Sequence, residues 1–143
     1  MRFLVNKIII TSSIALVVMI GAFNVSGIYA EDNITMQKLL GIWWTHDSNQ
    51  TPWAIQFNED RTFRSAHTYL RLEKKAQDEG RFELKGTSLT LISNKDCEGS
   101  CKGLKGRYEV EFTEYGQLLL KEQNDPCLER KEVCRAPWIK AVR

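Results

Sequence analysis

Four cysteines and two histidines are the residues of this 143-residue chain with the most chemistry to offer, and their spacing limits it. Cys97-x3-Cys101 and Cys127-x6-Cys134 do not resemble the usual zinc knuckle pairs, so no metal site is assigned. An even cysteine count in an exported chain favours disulfides instead. His46 and His67 fall on different predicted strands. A general base would need one of them beside the other or beside a carboxylate, such as Asp47 or Glu59. The sequence has no Gly-x-Ser-x-Gly, no phosphate-cradling glycine loop and no His-Glu-x2-His. No catalytic residue and no cofactor are assigned, and the chain reads as a non-enzyme. A second constellation is aromatic: Trp53, Phe57, Phe63, Tyr69, Phe82 and Tyr108, with Trp44 near them. These side chains could line an apolar pocket in which His67 or Tyr108 orients a ligand; the plainer reading is simple core.

The element that must position these groups is a hairpin, Gly106 to Asn124. Tyr108, Val110 and Phe112 alternate with Glu109, Glu111 and Thr113, Glu114-Tyr115-Gly116 turns, and the return arm carries Leu118 and Leu120. Setting Phe112 opposite Leu118 sets Val110 opposite Leu120, so one register buries both pairs on one face. Paired residue numbers then add to about 230, by the strict alternation of strands. Cys101 with Cys127, and Cys97 with Cys134, nearly keep that constant. Two nested bridges are therefore expected. Local pairing, Cys97–Cys101 with Cys127–Cys134, differs by less than the error of loop-entropy arguments, so register decides.

Upstream, Asn33 to Leu40 reads as a short helix capped by Asp32 or Asn33, with Gly41 at its end. Gly41 to His46 is the first strand, and Asp47 to Pro52 a loop. Trp53, Ile55 and Phe57 alternate in the second strand, and Asn58 to Arg61 turns. Thr62 to Leu70 is the third strand, with apolar residues on both faces. Glu73 to Glu79 is a charged, solvated turn. Gly80 to Leu84 and Ser88 to Ser93 form another hairpin, Pro126 to Arg135 holds a turn of helix, and Trp138 to Val142 is the last strand. Eight antiparallel strands in hairpin order close naturally into an up-and-down barrel, with a two-sheet sandwich as the alternative.

The first thirty residues read as a leader rather than fold. Arg2 and Lys7 precede an apolar run, and Ala30 precedes Glu31-Asp32, the pattern of a cleaved secretory signal peptide. The expected domain is 31–143, secreted or periplasmic, without a stable membrane anchor after cleavage. Removing Arg2 and Lys7 takes the 20 basic residues to 18, equal to the 18 acidic ones. A neutral, mixed surface gives no footprint for nucleic acid. A monomer is expected. Asn33-Ile34-Thr35 is formally a glycosylation acceptor.

Gly41-Ile42-Trp43 after a short helix resembles the Gly-x-Trp signature of the lipocalins and the wider calycin group. Ile55-x-Phe57-x2-Asp60-x-Thr62-Phe63, Gly106-x-Tyr108, Asp125-x-Cys127-x2-Arg130 and Trp138 follow in the order seen in small secreted bacterial lipocalin-like proteins. The resemblance implies an eight-stranded barrel that often holds a small apolar ligand. It also implies that Trp43 plugs one end beneath a late arginine, Arg130 or the competing Arg143. The expected function is to bind or carry a small apolar molecule. The alternative is a filled barrel acting as an extracytoplasmic protein-interaction module or inhibitor, because strands of about six residues make a shallow barrel that side chains nearly fill.

Overall fold

The computed structural model describes residues 35–142. The leader, Asn33 and Arg143 lie outside the described residues. The fold is all-β: eight antiparallel strands form one sheet curled into a half-barrel, with short helices at its ends. A helical stretch at 35–39 (α1) leads into β1 (Gly41–His46), followed by β2 (Pro52–Phe57) and β3 (Thr62–Ala66). α2 (Tyr69–Leu72) precedes β4 (Asp78–Lys85) and β5 (Ser88–Ser93). β6 (Lys105–Phe112) and β7 (Leu118–Asn124) are the predicted hairpin; α3 (Leu128–Val133) and β8 (Ile139–Lys140) end the chain.

β1 to β7 pair in sequence order, and β8 adds beside β1. The two edges of the sheet meet at a single bridge, Leu118↔Trp138. That contact is made by two backbone hydrogen bonds of 2.9 and 2.8 Å, not by a ladder. The β6–β7 register is the expected one, with Phe112 opposite Leu118 and Val110 opposite Leu120. Burial of both apolar pairs selects it, since a slip by one residue would turn them outward.

The concave face carries the core: Trp53, Phe57, Phe63, Phe82, Tyr108 and Trp138 are all buried there. α1 lays Leu39 into the same core, with Met36 and Leu40 packed against it. Gly41 turns the chain from α1 into β1 at φ 112°, a left-handed conformation that glycine reaches without a Cβ penalty.

Three expectations about local structure are corrected. Beyond Ala66 the third strand does not continue; Tyr69 to Leu72 is helical. The reason is on the convex face, where Ala54 and Ala66 are small and leave room for Leu72 to bury beside Ile42. Asp78 and Glu79 belong to β4 rather than to a solvated turn. The last strand is shorter than expected, two residues with Trp138 at a bridge.

Candidate functional site

α3 lies over one end of the concave face, and its Arg130 reaches into the core. The guanidinium binds Asp125 in bidentate fashion, Nε to Oδ2 at 2.5 Å and Nη2 to Oδ1 at 2.9 Å. Its Nη1 donates to Ser93 Oγ at 2.6 Å and to Asp78 Oδ2 at 3.2 Å. Tyr108 donates its hydroxyl to Asp125 Oδ2, and the Cys127 backbone N–H donates to Asp125 Oδ1 at 2.8 Å. Elements distant in sequence (β4, β5, β6 and α3) therefore converge on one cation. Gly106 makes room for it: a Cβ there would lie 2.1 Å from Asp125 Oδ2.

The two carboxylates respond oppositely to this enclosure. Burial raises the Asp78 carboxyl above its ordinary value, and the hydrogen bond from Ser93 and the charge of Arg130 only partly offset it. Its Oδ1 has no hydrogen-bond partner among the described residues. Burial would also raise Asp125, but bonds from Arg130, Tyr108 and the Cys127 amide outweigh it and hold that carboxyl below the usual range. Burial and Asp78's charge push the Cys97 thiol up, and burial pushes Cys134 up to about 12. Both thiols are inert at neutral pH by this criterion.

The sign of each shift fixes a pH window. Asp78, raised on folding, contributes fully below its unfolded value of about 4 and loses that contribution as pH rises through its folded value. Asp125, lowered on folding, contributes above about 4 and loses it as pH falls through its folded value. Asp78→Asn should therefore melt at a higher temperature than the native chain at pH 7, with the difference closing near pH 4. Thermal unfolding followed by circular dichroism across that range measures it; a variant less stable at pH 7 would contradict the assignment.

Of the residues singled out in the sequence, Trp53, Phe57, Phe63, Phe82 and Tyr108 are brought together in the core, and Tyr69 is not. Tyr69 sits on α2, 47% exposed, because the chain has left the sheet by then. His67 stacks on Trp53 with ring centroids 4.0 Å apart, and His46 lies edge-on to Trp44. Neither imidazole hydrogen-bonds a carboxylate among the described residues. Trp43 is buried, with its indole N–H on the Leu39 carbonyl at 2.8 Å. The cation over it is Lys140, 5.0 Å from the ring, and not Arg130. β8 pairs with β1 so that Lys140 stands opposite Trp43, while Arg130 is held by its carboxylates.

Cys101 and Cys127 form the expected disulfide. The second nested bridge is absent: Cys97 and Cys134 are buried free thiols. The β6–β7 strands end at Lys105 and Asn124, so no ladder reaches either thiol: Cys97 lies in the loop after β5, and Cys134 caps α3 and packs in the core. The spacing that suggested a bridge assumed a straight ladder. Asp78, Ser93 and Asp125 are the site residues that sequence reasoning did not single out for a role. One signal for Asp78 was available, because Asp78, Gly80, Phe82 and Leu84 share one strand parity.

Beside the cluster is an internal space of about 20 Å3, lined by Trp53, Phe63, Asp78, Leu91, Cys134 and Trp138 among others. That is room for about one water, whereas ligand pockets hold roughly 300–1,000 Å3. Comparison with protein-family models, with curated proteins and with solved structures finds no match to this chain. Among the described residues no group of His, Cys, Asp and Glu is placed to hold a metal ion, and no helix is long and apolar enough to cross a membrane. What the Arg130 cluster does follows from its own chemistry. It neutralises buried charge and fixes α3 over the end of the curled sheet.

Proposed function

We propose that this chain is an exported, lipocalin-like barrel with a filled interior that acts as an extracytoplasmic protein-interaction module, not as a carrier of apolar molecules. The observation that carries this reading is the small space beside the Arg130 cluster, about 20 Å3 among Trp53, Phe63, Leu91 and Trp138. Aromatic side chains and Arg130 occupy the space a ligand would take. Export is supported by the leader pattern and by the disulfide, a bond that persists in oxidising compartments. The recognition surface of such a module is its exterior and loops, which a rigid core presents at fixed positions.

Titration with an anilinonaphthalene sulfonate probe, followed by palmitate competition, tests the reading. The expected result is no saturable rise in fluorescence and nothing for palmitate to displace. One-to-one uptake of the probe, reversed by palmitate, would overturn the filled-interior reading and restore the carrier.

A further inference from the structure

Asp78 enters the concave face by the pleat of β4, on the side it shares with Gly80, Phe82 and Leu84. Ser65 stands directly opposite it across the β3–β4 pair, so the two side chains face the same way. Arg130 takes one of the two carboxylate oxygens, Oδ2. The other, Oδ1, is buried without a hydrogen-bond partner among the described residues, in a side chain that belongs to a residue 7% exposed. A carboxylate oxygen withdrawn from water and given no donor is costly.

A second atom in the same condition comes from the end of the chain. Trp138 is 1% exposed, and its Nε1 also lacks a partner among the described residues. Its backbone is held by the two hydrogen bonds to Leu118 that join the edges of the sheet. Asp78, Ser65 and Trp138 wall the same internal space of about 20 Å3. Trp53 walls it too and its Nε1 is likewise unbonded, but that indole lies beside the Asp47 carboxylate.

An indole N–H can only donate, and a carboxylate oxygen can only accept. Whatever joins them must accept from one, donate to the other and be no larger than one heavy atom. Water meets all three conditions. A space of at least roughly 10–15 Å3 holds a water when about two to four polar groups receive it, whereas cavities that stay dry are apolar.

We propose that one water molecule is a fixed part of this fold, accepting from Trp138 Nε1–H, donating to Asp78 Oδ1 and bonding the Ser65 hydroxyl. It links the seam of the curled sheet, otherwise closed by two backbone bonds, to the Arg130 cluster through Asp78. The inference goes beyond the filled-interior reading and shares with it only the size of the space.

Water-selective NMR of the nitrogen-15-labelled exported protein tests it. NOE and ROE cross-peaks of opposite sign are expected at the Trp138 indole proton, the mark of a water that tumbles with the protein. The Trp43 indole, bonded to the Leu39 carbonyl at 2.8 Å, is the internal control and should show none. Asp78→Asn keeps an acceptor and should keep the signal. Asp78→Leu and Ser65→Val, which fill the space from opposite walls with apolar atoms, should each lose it. Absence of the opposite-sign pair at Trp138 in the native protein overturns the proposal without any variant. Persistence of the pair in either folded filling variant overturns it too, as does an equal pair at Trp43. Uptake of an apolar probe would count against the filled interior as a whole, while this signal stands or falls on the Trp138 indole.

Discussion

Replacing Arg130 with methionine should lower the unfolding free energy by about 3–5 kcal/mol, the cost typical of removing one partner from a buried ion pair. The side chain of Arg130 is only 5% exposed, and that of Asp125 is 0% exposed. Without the guanidinium, Asp125 keeps the Tyr108 hydroxyl and the Cys127 amide but loses its countercharge, and Asp78 keeps only its unfavourable burial. Lysine should rescue poorly, because a single ammonium cannot reproduce the planar fork that spans Asp125, Ser93 and Asp78. Adding Asp78→Asn and Asp125→Asn to the methionine variant should recover a large part of the loss, since the unpaired charges are then gone. Urea denaturation at pH 7 measures all three. A loss under 1 kcal/mol would mean that the cluster is solvated and fixes nothing.

Removing the covalent tie should cost a similar amount. Cys101 and Cys127 are 26 residues apart, and a loop of that length corresponds to about 3.5 kcal/mol in the chain-entropy account. The double substitution Cys101→Ala, Cys127→Ala tests it by the same denaturation. The bond joins the loop after β5 to the start of α3, next to Asp125 and Arg130, so its loss should also loosen the cluster. The two effects are coupled and should not add. Peptide mapping of the native protein should recover one bridge, 101 to 127, with 97 and 134 alkylated only after unfolding. Two bridges in the map would contradict the structure.

What the sequence made legible was whatever depended on local alternation. Val110–Leu120 and Phe112–Leu118 are correctly paired because only one register buries both. Gly41–His46 has its expected bounds, and Cys101–Cys127 is one of the two bridges expected. Residues governed by distant partners were not legible. Nothing near Arg130 in sequence announces Asp78, 52 positions away, or Ser93. Tyr69 followed a strand pattern that ended because Ala54 and Ala66, on two different strands, opened a seat for Leu72. The Cys97–Cys134 expectation failed because the ladder stops at Lys105 and Asn124 and the chain then enters a loop on one side and α3 on the other, which alternation cannot foresee. The lysine over Trp43 depends on β8 pairing with β1, a contact between the two ends of the domain.

The central claim is that side chains fill the concave face. Xenon tests it most directly, because the gas enters dry apolar cavities of about 150 Å3 and shifts the methyl signals that line them. In spectra of the folded protein under xenon pressure, the methyls of Leu91, Val133 and Leu120 should not shift saturably. Saturable shifts at those methyls would reveal a cavity able to take an apolar ligand and would contradict the account.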